Sequence, residues 1–99
     1  MKSGGGASAA GLRQVAWFDC PGGGQVVVDG HVAYVAHMRA PHGTTLIDVS
    51  DPARPRRLAH FLPAVPEGHS RVCSNDWVDD RGLIYLIDRG RGLHILERA

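Results

Sequence analysis

The sequence has little of what several classes of small protein depend on. Only two of its 99 residues are cysteines, Cys20 and Cys73, which excludes a framework of several disulfides and the paired cysteines of a zinc finger. No apolar run approaches the roughly 18 residues that a membrane-spanning helix needs. Charge of one sign is also missing, since eleven Lys and Arg face ten Asp and Glu and leave a formal net charge of +1. We therefore predict no nucleic-acid partner and no membrane partner.

The first eleven residues contain little besides Gly, Ala and Ser. Residues 1–11 hold one lysine and no apolar segment of the kind that a secretion signal requires. Such a composition is typical of a flexible leader, which leaves residues 12–99 to form the folded part. A cytoplasmic location is the default expectation for a chain without a signal peptide or a membrane segment.

The rest of the chain consists of short apolar runs separated by turns. Between Asn75 and Glu97 the runs are Trp77–Val78, Leu83–Ile87 and Leu93–Leu96. Runs of this length, rich in Ile, Leu, Val, Tyr and Trp, predict strands, and the connections between them are short enough to require antiparallel hairpins. The run Leu83–Ile87 has no alternating polar residues, so both of its faces are predicted to be covered, as in radially stacked sheets.

Five further strands are predicted earlier in the chain, and the later ones repeat them. The predicted strands are Arg13–Phe18, Gln25–Asp29, His31–Ala36, Thr44–Val49 and Arg57–Leu62. The repeats match Arg13–Phe18 with Arg56–Phe61, Val28–Val35 with Val78–Leu86 (one extra turn residue), and Gly43–Asp48 with Gly92–Glu97. A unit of four strands in about 45 residues has the length of a propeller blade.

One turn of this unit resembles a known family. The segment Asp48–Pro55 reads Asp-Val-Ser-Asp-Pro-Ala-Arg-Pro and follows a strand containing Ala-Tyr-Val. It resembles the LVIVD-type repeat of bacterial and archaeal β-propeller proteins. The segment Asn75–Gly90 is similar to the same repeat and, more loosely, to NHL-type blades. The resemblance covers about Gly11 to Arg98. It implies an all-β, β-propeller-like fold of about two four-stranded antiparallel blades, over residues 12–63 (with a preceding outer strand) and 64–99.

The same resemblance implies a scaffold rather than an activity. We therefore expect a non-catalytic binding or scaffold module that takes a small ligand or a protein as its partner. Propellers of this type use several blades, whereas this chain holds about two. It is then either part of a larger propeller or a chain that self-associates through its blade edges into a homo-oligomer.

Two pairs of polar residues are candidates for a ligand site at the mouth of the propeller channel. Blade-opening strands line that channel, which places Asn75 and Asp76 at its mouth. These side chains either bind a ligand or form hydrogen bonds to nearby backbone amides. Asp88 and Arg89 begin a loop of Arg and Gly that either contacts an anionic ligand or is a solvated hairpin turn.

The histidines raise the question of a metal. His37 and His42 flank one loop, and imidazole suits zinc, copper and iron. No third ligand stands beside them in the sequence, so we predict no metal and no cofactor. His60, on an outer strand, is predicted to lie at the surface. The full candidate ligand-binding set is His37, His42, Asn75, Asp76, Asp88 and Arg89, with no catalytic residue assigned.

The alternative function is a fragment of a propeller enzyme. Its active site would use His and Asp at the channel mouth, with or without a metal. An enzyme requires these groups to cluster, whereas a scaffold leaves them bonded to the backbone or dispersed.

The predicted strands also yield a predicted core. The residues expected to be most buried are Val32, Tyr34, Leu46, Leu83, Tyr85, Leu86 and Ile95. Two blades alone leave two open faces, and these are expected to expose Val32, Val35 and Ile84.

Overall fold

The computed structural model describes residues 8–40, 42–64, 73–88 and 92–99. These residues form nine strands and no helix, which confirms the all-β prediction. Within these ranges, therefore, no helix is long and apolar enough to cross a membrane. The strands are β1 (Ser8–Ala9), β2 (Leu12–Arg13), β3 (Gly23–Asp29), β4 (Val32–His37), β5 (Thr44–Asp48), β6 (Arg56–Phe61), β7 (Cys73–Val78), β8 (Ile84–Asp88) and β9 (Gly92–Leu96).

The strands pair with their sequence neighbours in three antiparallel sheets. β3, β4, β5 and β6 form a four-stranded sheet, and β7, β8 and β9 form a three-stranded sheet. β1 and β2 form a small separate hairpin. Two successive sheets, each with its strands in chain order, are compatible with a partial propeller.

The turn between β7 and β8 shows how local chemistry sets the strand boundaries. The Asp79 carboxylate accepts hydrogen bonds from the backbone amides of Arg81 (2.9 Å) and Leu83 (3.0 Å) and from the Tyr85 hydroxyl (2.8 Å). Gly82 supplies the left-handed backbone conformation that closes the turn. Burial opposes ionisation of Asp79, but the hydrogen bonds from Tyr85 and Arg81 outweigh it and lower its pKa to about 2.

The two larger sheets pack face to face. Directly opposed residues in antiparallel strands share a face, and β7 lies against β3 and β4. We call the two contacting faces the inner faces and their reverse sides the outer faces. The main buried cluster between the inner faces consists of Val32, Tyr34, Leu46, Val78 and Ile84, with Leu96 packed against it. A second cluster consists of Ala36 and Leu86, with Phe61 packed against it.

Both outer faces expose apolar side chains. On the three-stranded sheet these are Trp77, Ile87, Leu93 and Ile95, which are 62%, 38%, 58% and 58% exposed. On the four-stranded sheet Val26 and Val28 are 58% and 61% exposed. The outer face of the three-stranded sheet is thus largely exposed, whereas that of the four-stranded sheet is exposed at β3 and buried at His37, Thr45 and Ile47.

The predicted core is correct for the inner faces and wrong for the outer face of the second sheet. Val32, Tyr34, Leu46 and Leu86 are buried as predicted. Leu83 and Tyr85 are only half-buried, and Ile95 is largely exposed, because none of the described strands covers the outer face of the three-stranded sheet. The expectation that Val32 and Ile84 would be exposed is also wrong, since both lie between the two sheets. Val35 is half-buried.

The predicted strand Arg13–Phe18 is also wrong, because only Arg13 belongs to a strand. The segment that follows passes over the outer face of the four-stranded sheet instead. Phe18 and Pro21 line a cavity there together with His37 and Thr45. No strand of the described residues lies beside this segment to supply backbone hydrogen bonds, which explains why an apolar, strand-like sequence does not form a strand.

Candidate functional site

The predicted site residues are divided between the two faces of the four-stranded sheet. Successive residues of β5 point to opposite faces. On the inner side, the Thr44 hydroxyl donates a hydrogen bond to the Asp76 carboxylate at 2.7 Å. On the outer side, the Thr45 hydroxyl lies 2.6 Å from Nε2 of His37. His37 and Asp76 therefore do not belong to one site.

Asp76 is a buried carboxylate at the junction of the two sheets. Its residue is 2% exposed, and its Oδ1 atom has no hydrogen-bond partner among the described residues. Burial raises the pKa of Asp76 to about 6, although hydrogen bonds from Thr44 and from its own backbone act in the opposite direction. At neutral pH the carboxylate is thus held charged in an environment that disfavours charge.

A cavity of about 400 Å³ lies beside Asp76, where β3 and β7 approach each other. Its polar lining comes from Gln25, Asn75 and Asp76, and its apolar lining includes Trp77 and Leu93. The Gln25 side-chain oxygen is also buried, and no described residue forms a hydrogen bond to it. The structure thus brings Asn75 and Asp76 to one cavity, which is lined mainly by the outer face of the three-stranded sheet and reaches Gln25 of β3. The structure adds Gln25, which the sequence places on a predicted strand but does not identify as a candidate ligand-binding residue.

A row of hydrogen-bonded side chains lies on the outer face of the four-stranded sheet. Thr45 Oγ1 lies 2.6 Å from His37 Nε2 and 2.7 Å from His60 Nδ1. His37 Nδ1 lies 2.8 Å from the carbonyl oxygen of Pro21, which only accepts, so Nδ1 carries a proton. In neutral His37, Nε2 then accepts from the Thr45 hydroxyl, and Thr45 accepts from His60. His60, on the edge strand β6, is therefore half-buried and held in place by Thr45.

The chemistry of this row is that of a structural network. Burial, followed by the nearby charges of His37 and Arg57, lowers the pKa of His60. The Cys20 sulfur lies 3.7 Å from His37 Nε2. Burial raises the pKa of the Cys20 thiol, and the Asp19 charge adds to this effect. An activated nucleophile would need a lowered pKa instead.

The remaining predicted site residues are His42, Asp88 and Arg89. His42 adopts a left-handed backbone conformation (φ +64°), and its buried Nδ1 atom has no hydrogen-bond partner in the described part of the chain. Asp88 is fully buried, with its carboxylate 3.8 Å from His94 Nε2. Arg89 lies outside the described residues. Within the part of the chain that the structure describes, no group of three or more His, Cys, Asp or Glu is arranged to hold a metal ion.

Sequence reasoning missed Thr44 and Thr45, and it did not connect His60 with His37. The pairing of Thr45 with His60 across β5 and β6 depends on the strand register. With the strand register known, Thr45 and His60 would have been placed on one face, since side chains alternate with a period of two along a strand. The Thr44–Asp76 contact depends on how the two sheets pack, which no local pattern encodes.

We expect the Asp76→Asn variant to lose a pH dependence that the natural chain has. The pKa of Asp76 is about 6 in the folded state and about 4 in an unfolded chain. Between these values the folded state binds more protons, so the free energy of unfolding falls as pH rises from about 4 to about 6. The two-unit difference corresponds to about 3 kcal/mol.

Urea denaturation at a series of pH values between 4 and 7 measures this slope. Asp79→Asn is the matched control, because the pKa of Asp79 is lowered to about 2 and its contribution to stability changes mainly below this window. The control should keep the slope that Asp76→Asn loses. An equal slope in the natural chain and in Asp76→Asn would show that Asp76 does not titrate in this range.

Comparison of the chain with protein-family models, with curated proteins and with solved structures finds no match to any of them.

Proposed function

We propose that this chain is a non-catalytic binding or scaffold module of the β-propeller type, built from LVIVD-like repeats. The observation that carries the proposal is the face-to-face stack of two antiparallel sheets, each of which also exposes apolar side chains on its outer face. The arrangement does not favour a His/Asp enzyme, because His37 and Asp76 lie on opposite sides of β5.

The direction of the side chains supports a stack that continues. The sequence repeat matches Tyr34 with Tyr85 and Leu46 with Ile95. Tyr34 and Leu46 are on the face of the first sheet that the second sheet covers. Tyr85 and Ile95 are paired on the outer face of the second sheet, so they point the same way along the stack. That outer face could therefore pack against a third sheet in the same way that the inner face of the four-stranded sheet packs against the three-stranded sheet.

The opposite end of the stack carries the matching surface. The repeat matches Val28 with Val78 and Val35 with Leu86. Val78 and Leu86 fill the contact between the two sheets, whereas Val28 is exposed on the outer face of the first sheet. The outer face of the three-stranded sheet thus corresponds to the inner face of the four-stranded sheet. Likewise, the outer face of the four-stranded sheet corresponds to the inner face of the three-stranded sheet.

Such ends fit each other head to tail. Because they are different surfaces, copies of the chain add in one rotational sense and close into a ring if the angle allows. Three or four copies supply six to eight sheets, the range found in propellers. In a longer polypeptide, further sheets of the same chain would take the place of the second copy.

We expect light scattering at micromolar concentration to give a mass three or four times the 10.6 kDa of one chain. Ile95→Asp places a charge in the apolar outer face, where Ile95 is 58% exposed, and should dissociate the assembly. Met38→Asp is the matched control, because Met38 is comparably exposed (51%) but lies in the loop after β4. A folded monomer that unfolds cooperatively at these concentrations would overturn the proposal.

A further inference from the structure

We propose that Asp76 and Gln25 form a proton-dependent hydrogen bond that joins the two larger sheets. The protonated carboxyl of Asp76 donates to the side-chain oxygen of Gln25, and the bond opens when the carboxyl ionises. Both residues belong to one copy of the chain, so the proposal does not depend on how many copies assemble.

Gln25 and Asp76 lie where the two sheets are in contact. Gln25 of β3 is directly opposite Ala36 of β4, and Ala36 is opposite Thr44 of β5. These three residues therefore form a row across the inner face of the four-stranded sheet. Asp76 lies over this row, since it bonds to Thr44 at one end and lines a cavity with Gln25 at the other. The middle residue is alanine, whose single methyl group leaves room for a carboxyl group between its two neighbours.

Two buried oxygen atoms at this junction have no hydrogen-bond partner among the described residues. They are Oδ1 of Asp76 and Oε1 of Gln25. An ionised carboxylate and an amide oxygen only accept hydrogen bonds, so neither atom satisfies the other. A buried polar atom without a partner is destabilising. One proton supplies the missing donor and satisfies both atoms at once.

The existing hydrogen bond of Asp76 determines where that proton goes. The Thr44 hydroxyl donates to Oδ2 at 2.7 Å. Because Oδ2 already accepts this bond, the added proton is carried by Oδ1, which turns from an acceptor into a donor. The cavity beside Gln25 gives its flexible side chain room to turn toward this donor. Burial, which raises the pKa of Asp76 to about 6, brings the protonation into the mildly acidic range.

Other ionisable groups come from the elements around β7. They are Asp29 of β3, Tyr34 and His37 of β4, Asp48 of β5, Asp79 directly after β7, Asp88 of β8 and His94 of β9. Burial raises the pKa of Tyr34, so Tyr34 stays neutral in mild acid. Asp88 is buried with its carboxylate 3.8 Å from His94 Nε2. Because Asp88 and His94 are ionisable as well, the test must follow Asp76 and Gln25 themselves rather than stability alone.

NMR titration of the natural chain, labelled with carbon-13 in its Asp and Gln side chains, tests the bond. We expect the carboxyl carbon of Asp76 and the side-chain carbonyl carbon of Gln25 to shift with one common midpoint, near pH 6. The Gln25 signal should move downfield as the pH falls, because its oxygen then accepts a hydrogen bond. A Gln25 carbonyl signal that does not change between pH 4 and 7 would overturn the proposal.

Gln25→Met removes the acceptor and keeps the length of the side chain. The protonated form of Asp76 then loses its partner, so its midpoint should fall by about one pH unit, the equivalent of one hydrogen bond. A more apolar neighbour opposes ionisation and would raise the midpoint, so a fall is specific to the lost bond. An unchanged or higher midpoint would contradict the proposal. A higher one is the result expected if the Gln25 amide group donates to the ionised carboxylate instead.

Gln14→Met is the matched control for this variant. It makes the same replacement in the segment before β3, where the Gln14 side chain bonds to the carbonyl oxygen of Ala16. Gln14 belongs to neither of the two larger sheets, so the midpoint of Asp76 should stay where it is. An equal fall in both variants would show that the effect does not come from Gln25.

Asp76→Asn tests which group moves the Gln25 signal. Its amide N–H takes the place of the acid O–H and donates to Gln25 at every pH. The Gln25 carbonyl signal should therefore keep its acid position throughout the titration. If this signal still titrates in Asp76→Asn, another group such as Asp88 or His94 is responsible, and the hydrogen bond between Asp76 and Gln25 is rejected.

Discussion

Replacing Gly43 with alanine is expected to lower the free energy of unfolding by more than about 3 kcal/mol. Gly43 precedes β5 with φ +79°, a backbone conformation that costs an L-residue about 1–2 kcal/mol. An added Cβ would also collide with the backbone oxygen of Phe61 and lie 3.3 Å from His60 Nε2. Because the obstacle is the backbone of β6, rotation of a side chain does not relieve it. The variant must either separate the ends of β5 and β6 or unfold the turn.

Two other glycines separate the collision from the backbone strain. Gly30 and Gly82 also have positive φ angles, of +59° and +84°, but an added Cβ at either would meet nothing within 4 Å. Gly30→Ala and Gly82→Ala should therefore cost only about 1–2 kcal/mol each. Urea denaturation of the three variants gives the comparison. A loss at Gly43 no larger than that at Gly30 would mean that the end of β6 does not lie against this turn.

The strands could be predicted from the sequence because their signals are local. Turn residues such as Asp79 and Gly82 stop and start strands through contacts within a few residues. Six of the seven long strands that the structure describes accordingly begin and end within about two residues of the predicted runs, whereas β7 begins at Cys73, four residues before its apolar run. The exception is Arg13–Phe18, whose sequence is strand-like but whose conformation depends on a neighbouring strand.

Burial could be predicted only in part, because it depends on which sheet covers which face. Leu86 and Ile95 both come from apolar runs and look alike in the sequence. Leu86 faces the four-stranded sheet and is fully buried, whereas Ile95 faces away from it and is 58% exposed. In a strand that is apolar on both faces, the number of sheets in the stack decides which residues are covered.

The candidate site could also be predicted only in part from the sequence. The sequence predicts Asp76 near the start of a strand, and the structure places it within β7, beside a cavity with Asn75. The hydrogen bond to Asp76 from Thr44, 32 residues earlier in the chain, requires the contact between the two sheets. Similarly, His37 and His60 meet only through Thr45, which carries no signal of its own in the sequence.

Truncation of Leu86 to alanine should lower the free energy of unfolding by about 2–5 kcal/mol, the usual range for a fully buried leucine. Leu86 is 0% exposed and packs with Ala36 and Phe61, where the inner faces of the two sheets meet. Removal of its side-chain methyl groups leaves a cavity between two sheets that are each held by backbone hydrogen bonds. The surroundings therefore have little freedom to close around it. Urea denaturation of the variant and the natural chain measures the loss.

Leu12→Ala is the matched control for this truncation, because it removes the same atoms from a side chain that is 76% exposed. Leu12 lies in β2, outside both large sheets, so its truncation should change the free energy of unfolding by no more than about 0.5 kcal/mol. The contrast between the two variants tests the stack itself. If the two sheets were separate units without a shared core, Leu86 would lie on an open face and its truncation would cost little more than that of Leu12. A denaturation midpoint for Leu86→Ala equal to that of the natural chain would therefore reject both the assignment of β8 and its contact with the four-stranded sheet.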